Sequence, residues 1–143
     1  SMFLMILRHP VSVAYATLKW CPVDLPALIE HTLRCYERLA EDRLFLNDLL
    51  VFRYEDMLRN PHRIFRNIEK FCGIRAFPQQ IDLVESRNTI YGERWQQDLD
   101  RLGNRQSILL RAYSELFAER LAAFGYILDD LAIATDIPWI YSP

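Results

Sequence analysis

The chain opens on six consecutive apolar residues, Met2 to Leu7, ended by Arg8-His9-Pro10. A run with no polar alternation reads as a short strand buried on both faces. Pro10 lacks the N–H that a ladder needs and fits the first turn of a helix. From there Val11, Ala14, Tyr15 and Leu18 fall at helical spacing. Cys21-Pro22-Val23-Asp24 breaks the pattern, with Asp24 suited to cap a second helix. That helix runs to about Asp42 and carries Leu25, Leu28, Ile29, Leu33, Tyr36 and Leu39 on one face. Leu49 to Phe52 gives a second short buried strand. Strands joined by a mainly helical crossover of this length are expected to lie parallel, so Tyr54 emerges on the same sheet edge as Arg8.

Asn60-Pro61 opens the clearest helix in the chain, with Ile64, Phe65, Ile68 and Phe71 as its buried stripe and Gly73 at its C′ position. A shorter helix is expected after Pro78, using Ile81 and Val84. Ser86 to Asp100 reads as polar and irregular around Trp95, with Asp98 and Asp100 in a solvated loop. Ser107 to Phe124 reads as an amphipathic helix bearing Leu109, Tyr113, Leu116, Phe117, Leu121 and Phe124, stopped by Gly125. The pattern contains two convincing strands, and a two-stranded parallel sheet with both edges open is rarely stable alone. Either this is the carboxyl-terminal part of a larger α/β domain, or two copies complete one sheet as a homodimer.

Length and composition narrow the classes. One domain spanning 1–143 is expected, since 51% apolar residues supply a core for a chain of 143. Ser1 and Met2 read as the remnant of a removed tag. Lys and Arg total 17 against 19 Asp and Glu, so no global basic field points to nucleic acid, and a phosphate site has to be local. No apolar run reaches the roughly 20 residues that span a bilayer, and no signal peptide is evident. The three cysteines, Cys21, Cys35 and Cys72, are odd in number and widely spaced. They read as buried, reduced thiols rather than a disulfide framework, and so suggest a cytoplasmic setting.

The candidate chemistry starts with Arg8. A parallel strand running into a helix leaves it at the strand's carboxyl end, where open α/β sheets bind ligands. A guanidinium fork beside a helix N-terminus suits a phosphate; pairing with a carboxylate at the edge of the fold is the plainer reading. His9 is the most tempting general base but reads better as a structural group behind Arg8. Glu55 and Asp56 read as cap or ion-pair partners, since adjacent residues after a strand point apart. His31 and Cys35 stand i, i+4 on one helix, yet no third or fourth metal ligand accompanies them. Lys19 and Trp20 can border an acceptor cleft, with core packing the simpler role for Trp20.

Three blocks together resemble the sulfotransferase family that uses 3′-phosphoadenosine 5′-phosphosulfate (PAPS). Phe3 to Ala16, a strand ending in Arg8-His9-Pro10, is similar to the family's 3′-phosphate motif. Val51-Phe-Arg-Tyr54-Glu55-Asp56-Met-Leu-Arg-Asn-Pro61, continued through Ile68 and Phe71 to Gly73-Ile74, resembles its RYEDL block. Asn88…Tyr91-Gly-Glu-Arg94-Trp95, then Phe124-Gly-Tyr126, resembles the closing basic-Trp segment and terminal FGY. The resemblance implies a partial P-loop-like α/β fold of sulfotransferase type, short parallel strands packed by mainly helical segments. It also implies PAPS or its product PAP as nucleotide, a hydroxyl or amine acceptor, and no metal. Arg8 then grips the 3′-phosphate, Tyr54 contacts the nucleotide, Arg94 closes over the phosphates, and backbone groups of Ser86 to Tyr91 assist.

Two departures stand against this pattern. Where the family has a serine eight residues after the arginine stands Ala16, and Ser12, one turn earlier, supplies a hydroxyl only if the nucleotide sits differently. The glycine-containing loop that grips the 5′-phosphosulfate has no counterpart, because no glycine precedes Gly73. These residues alone are therefore expected to be catalytically dead or nearly so. The competing expectation is a non-catalytic binding or assembly module of the same fold; another P-loop transferase fits the Tyr54-Glu55-Asp56 block less well.

Overall fold

A computed structural model of the chain describes residues 1–75, 86–101, 105–132 and 134–141. Among the described residues, two parallel strands and six α-helices form a mixed α/β structure. Strand β1 (Phe3–Leu7) is followed by α1 (Pro10–Thr17) and α2 (Leu25–Asp42). A 3-10 turn at Arg43–Phe45 then leads into β2 (Leu49–Arg53). Next come α3 (Tyr54–Arg59), α4 (Pro61–Cys72), α5 (Ser86–Asp100) and α6 (Arg105–Ala122). The helix expected after Pro78 lies outside the described residues.

Local chemistry sets most of these boundaries. The Asp24 carboxylate accepts from the Ala27 N–H and the Asn60 side chain from the Arg63 N–H, satisfying donors that open helix ends leave orphaned. Pro61 takes the first turn of α4, and Gly73 closes it in the left-handed region at φ 65°. The strands pair in parallel as expected, with Met5 beside Val51 and Leu7 beside Arg53. Beyond β2 the chain's last turn returns, and the Tyr141 N–H donates to the Val51 carbonyl at 2.8 Å.

Leu7 and Val51 enter one core with Val11, Ile29 and Leu33 from α1 and α2, Trp95 from α5, and Phe117 and Leu121 from α6. On this framework several expectations change. Of the buried stripe expected on α4 only Ile64 is sealed, while Phe65, Ile68 and Phe71 are half-buried. β1 is not buried on both faces: Phe3, Leu4, Met5 and Ile6 are exposed and only Leu7 is sealed. The cause is that α3 and α4 lie against β2 and no second neighbour flanks β1 among the described residues. Residues Ser86–Asp100 are helical rather than irregular, because Tyr91 and Trp95, one turn apart, are both buried against the bundle. Trp20 is not core; it is 88% exposed beyond the end of α1. Finally, α6 is apolar on two opposite faces: Leu110, Phe117 and Leu121 point inward while Leu109, Tyr113 and Leu116 stay exposed. The three cysteines are free thiols but none is buried as expected: Cys21 and Cys72 are half-buried and Cys35, on the outer face of α2, is exposed. None of the described helices is long and apolar enough to cross a membrane.

Candidate functional site

The turn between β1 and α1 is held from three directions, and this fixes where Arg8 starts. The Arg8 N–H donates to the Tyr36 hydroxyl at 2.9 Å, while that hydroxyl donates to the Arg8 carbonyl at 2.7 Å. One phenol from α2 therefore satisfies both backbone groups of the residue that leaves the strand. The His9 N–H donates to Glu55 Oε1 at 2.9 Å, tying this turn to the start of α3 behind β2. The Glu55 carboxyl accepts on its other oxygen from the Tyr126 hydroxyl at 3.2 Å. Burial pushes the Glu55 pKa up, opposed by these hydrogen bonds and by the positive charge of Arg8. Burial also pushes the Tyr36 hydroxyl up to about 12 and raises Tyr126 well above the phenol range, so both phenols stay protonated.

His9 is part of this frame. Its ring is fully buried, with Nδ1 accepting from the Val11 N–H at 3.3 Å and Nε2 lying 2.8 Å from the Ile127 carbonyl. A carbonyl only accepts, so Nε2 carries the proton and Nδ1 is the acceptor that caps α1. Burial holds the pKa down to about 4, keeping the imidazole neutral with both nitrogens engaged. It is a cap and a tie, as the sequence reading favoured, and has no nitrogen left to serve as a base.

Past this anchored turn the Arg8 side chain meets aromatic rings. Its guanidinium carbon lies 4.7 Å from the centre of the Tyr54 ring and 5.6 Å from that of Tyr91. Tyr91 stacks on Tyr15 with centroids 6.1 Å apart and planes 7° from parallel. Arg94 lies over the Tyr15 ring at 5.0 Å. The result is a connected series of cations and rings, drawn from both strand ends, α1 and α5. The Tyr15 hydroxyl donates to Asp98 at 2.7 Å, and burial, then this bond, raises its pKa. Asp98 is therefore a helical anchor for Tyr15, paired also with Arg101 at 3.8 Å, and not a loop carboxylate.

Of the residues singled out for a nucleotide, Arg8 and Tyr54 come together directly, and Arg94 joins them through Tyr15 and Tyr91. Ser12 takes no part in these cation and ring contacts: it is fully buried, and its Oγ has no hydrogen-bond partner among the described residues. The side chains of Ser86 to Asn88 lie outside the described residues. A hollow of about 340 Å³ along α5 is lined by Ile90, Glu93, Arg94, Gln97, Asp98 and Arg101, and so includes Arg94 but neither Arg8 nor Tyr54.

Other candidates fall to structural roles. Asp56 accepts from Arg53 Nε at 2.7 Å, both side chains being buried. Arg53 Nη1 also donates to the Thr135 carbonyl. His31 Nε2 and Cys35 Sγ stand 3.8 Å apart on an exposed face, and no cluster of three or more metal-ligating side chains occurs among the described residues. Sequence reasoning placed Tyr36 on the apolar face of α2 and Tyr91 and Tyr126 in the third block of the resemblance, but gave none of their side chains a part in the site. The one-turn spacing of Tyr91 and Trp95 was a readable signal for the second of these; the partners of Tyr36 and Tyr126 lie far away in sequence. No protein-family model matches the chain, and neither the curated proteins nor the solved structures contain a significant match.

Proposed function

We propose that this chain is the nucleotide-gripping, carboxyl-terminal portion of a PAPS-dependent sulfotransferase, in which Arg8 holds the 3′-phosphate of PAPS or PAP. The observation that carries the reading is the meeting of Arg8 and Tyr54, 4.7 Å apart, at the carboxyl ends of adjacent parallel strands. Ligands of open α/β sheets bind at that end. A guanidinium there offers a phosphate two parallel charge-assisted bonds, and the rings of Tyr54 and Tyr91 offer apolar surface to a base or ribose. In this reading PAPS carries the sulfuryl group to a hydroxyl or amine acceptor, and these residues fix its 3′-phosphate end. Arg94 is the second cation available, and Ser12 contributes packing, not a contact.

Calorimetry with PAP, adenosine 5′-phosphosulfate and ATP tests this. PAP is expected to bind more tightly than the two nucleotides that lack a 3′-phosphate. A hydrogen bond to a charged group is worth about 1.5–3 kcal/mol, so Arg8→Ala should weaken PAP roughly tenfold or more. Equal binding of all three nucleotides, or PAP binding indifferent to Arg8→Ala, rules the reading out. One observation favours the second reading, a non-catalytic assembly module: β1 leaves Phe3, Leu4, Met5 and Ile6 exposed. Self-association with no nucleotide binding supports that reading instead.

A further inference from the structure

Helix α6 carries an unpartnered stripe that is its own complement. Its inward face is committed: Leu110, Phe117 and Leu121 are buried, and Arg120 grips Glu37 of α2 through bonds of 2.6 and 2.9 Å. On the opposite face Ile108 is 64% exposed, Leu109 48% and Leu116 64%, with Ala112 exposed between them. At 100° per residue all of these project within about 60° of Ala112. Arg105 and Glu119 extend the same stripe at its two ends; both are exposed and neither makes an ion pair among the described residues. Arg111, on the flank of the stripe, is drawn aside onto the Leu99 carbonyl at 2.8 and 3.0 Å.

We propose that this face of α6 pairs with α6 of a second copy of the chain, antiparallel, about a twofold axis beside Ala112. In that arrangement residues equidistant from Ala112 lie level with one another. Ile108 faces Leu116 of the second copy, and Leu116 faces its Ile108. Arg105 faces Glu119 at one end, and the symmetry repeats the pair at the other. Ala112 meets its own mate, and its small side chain lets the helices approach closely where they cross. A heterologous partner would leave the matching of Ile108 with Leu116 and of Arg105 with Glu119 unexplained; Leu109, at the margin of the stripe, falls level with the exposed Glu115 at its outer edge. The inference is independent of nucleotide binding and uses none of the residues around Arg8.

Sedimentation equilibrium of the full chain from about 1 to 300 μM is the test. A reversible monomer–dimer equilibrium is expected, with Leu116→Arg weakening it at least about tenfold. Arg105→Glu and Glu119→Arg should each weaken it by roughly 5- to 30-fold, because each places like charges at both ends. The two changes in one chain should restore association, since the pairs re-form with signs exchanged. All three side chains are exposed, so circular dichroism should show the wild-type spectrum for every variant. A monomer across the whole range overturns the proposal. So does a doubly reversed chain no tighter than either single variant, or a dimer that survives Leu116→Arg and is lost in Met5→Lys, which assigns association to the β1 edge.

Discussion

Gly125 is the position at which one added methyl group should do most damage. Its φ is +81°, and a Cβ there would overlap the Thr135 carbonyl oxygen, lie 2.6 Å from Arg53 Nη1 and 3.2 Å from Ile137 Cγ1. The residue also holds the chain's return, since the Thr135 N–H donates to the Gly125 carbonyl at 2.7 Å. Arg53 cannot swing aside cheaply, for it is fully buried and ion-paired to Asp56. Three effects therefore combine in Gly125→Ala. Left-handed backbone costs an alanine about 1–2 kcal/mol, and forcing a methyl into filled space costs about 1–3 kcal/mol. Any separation of Arg53 from its partners adds to both, because a buried charge left uncompensated costs about 3–5 kcal/mol. A loss of roughly 3–5 kcal/mol in urea denaturation is the expected outcome, a large share of a stability that is typically 5–15 kcal/mol. Gly73→Ala is the internal control. Its φ is +65°, but nothing lies within 4 Å of the added carbon, so only the backbone term, about 1–2 kcal/mol, should be lost. If the two variants cost the same, the crowding around Arg53 does not carry the energy assigned to it.

Two further outcomes are expected. The His9 pKa is held down to about 4 by burial, so the unfolded chain takes up a proton before the folded one does. Stability from this group is intact above the ordinary histidine pKa and is lost as pH falls toward 4, a loss on the order of 1 kcal/mol by pH 5.5. Glu55 is raised and slopes the other way, its contribution being lost as pH rises through its folded pKa. The comparison must therefore be with His9→Asn, which keeps a capping oxygen and leaves Glu55 in place; its urea stability should fall less between pH 7 and 5.5, and an unchanged pH dependence refutes the assignment. Trp20→Ala should leave denaturation midpoints within about 0.5 kcal/mol of wild type, since the indole is 88% exposed; a loss above 2 kcal/mol would show it to be packed.

What was legible in the sequence was local. The strand ended by Arg8-His9-Pro10, the Asp24 and Asn60 caps, Pro61 at its helix start and Gly73 at its helix end each depend on chemistry within a few residues, and each stands where the pattern put it. The parallel pairing followed from the length of the crossover, and it brought Tyr54 to Arg8. What failed depended on what else is present to cover a surface. An unbroken apolar run gives no account of whether a second neighbour flanks the strand, and β1 has four exposed residues where burial on both faces was expected. Trp20 failed for the same reason.

The misreadings of α5 and α6 share a cause, and it bears on the site. In α5 the apolar signal is thin, with Gly92 and several charged residues interleaved among Tyr91, Trp95 and Leu99, so the segment read as a loop. Yet that helix supplies both Tyr91 and Arg94, so the error hid how these two residues join Arg8: through a helix packed on α1 and a stacked tyrosine pair. In α6 the apolar signal is instead too rich. Residues lying on opposite sides were merged into a single stripe because a helix that is apolar on two faces has no strong periodicity. A monomeric helix of this kind needs one such face. The second, with a small residue at its centre and opposite charges at its two ends, is surplus to the fold of one copy and is the reason a reversed second copy is expected there.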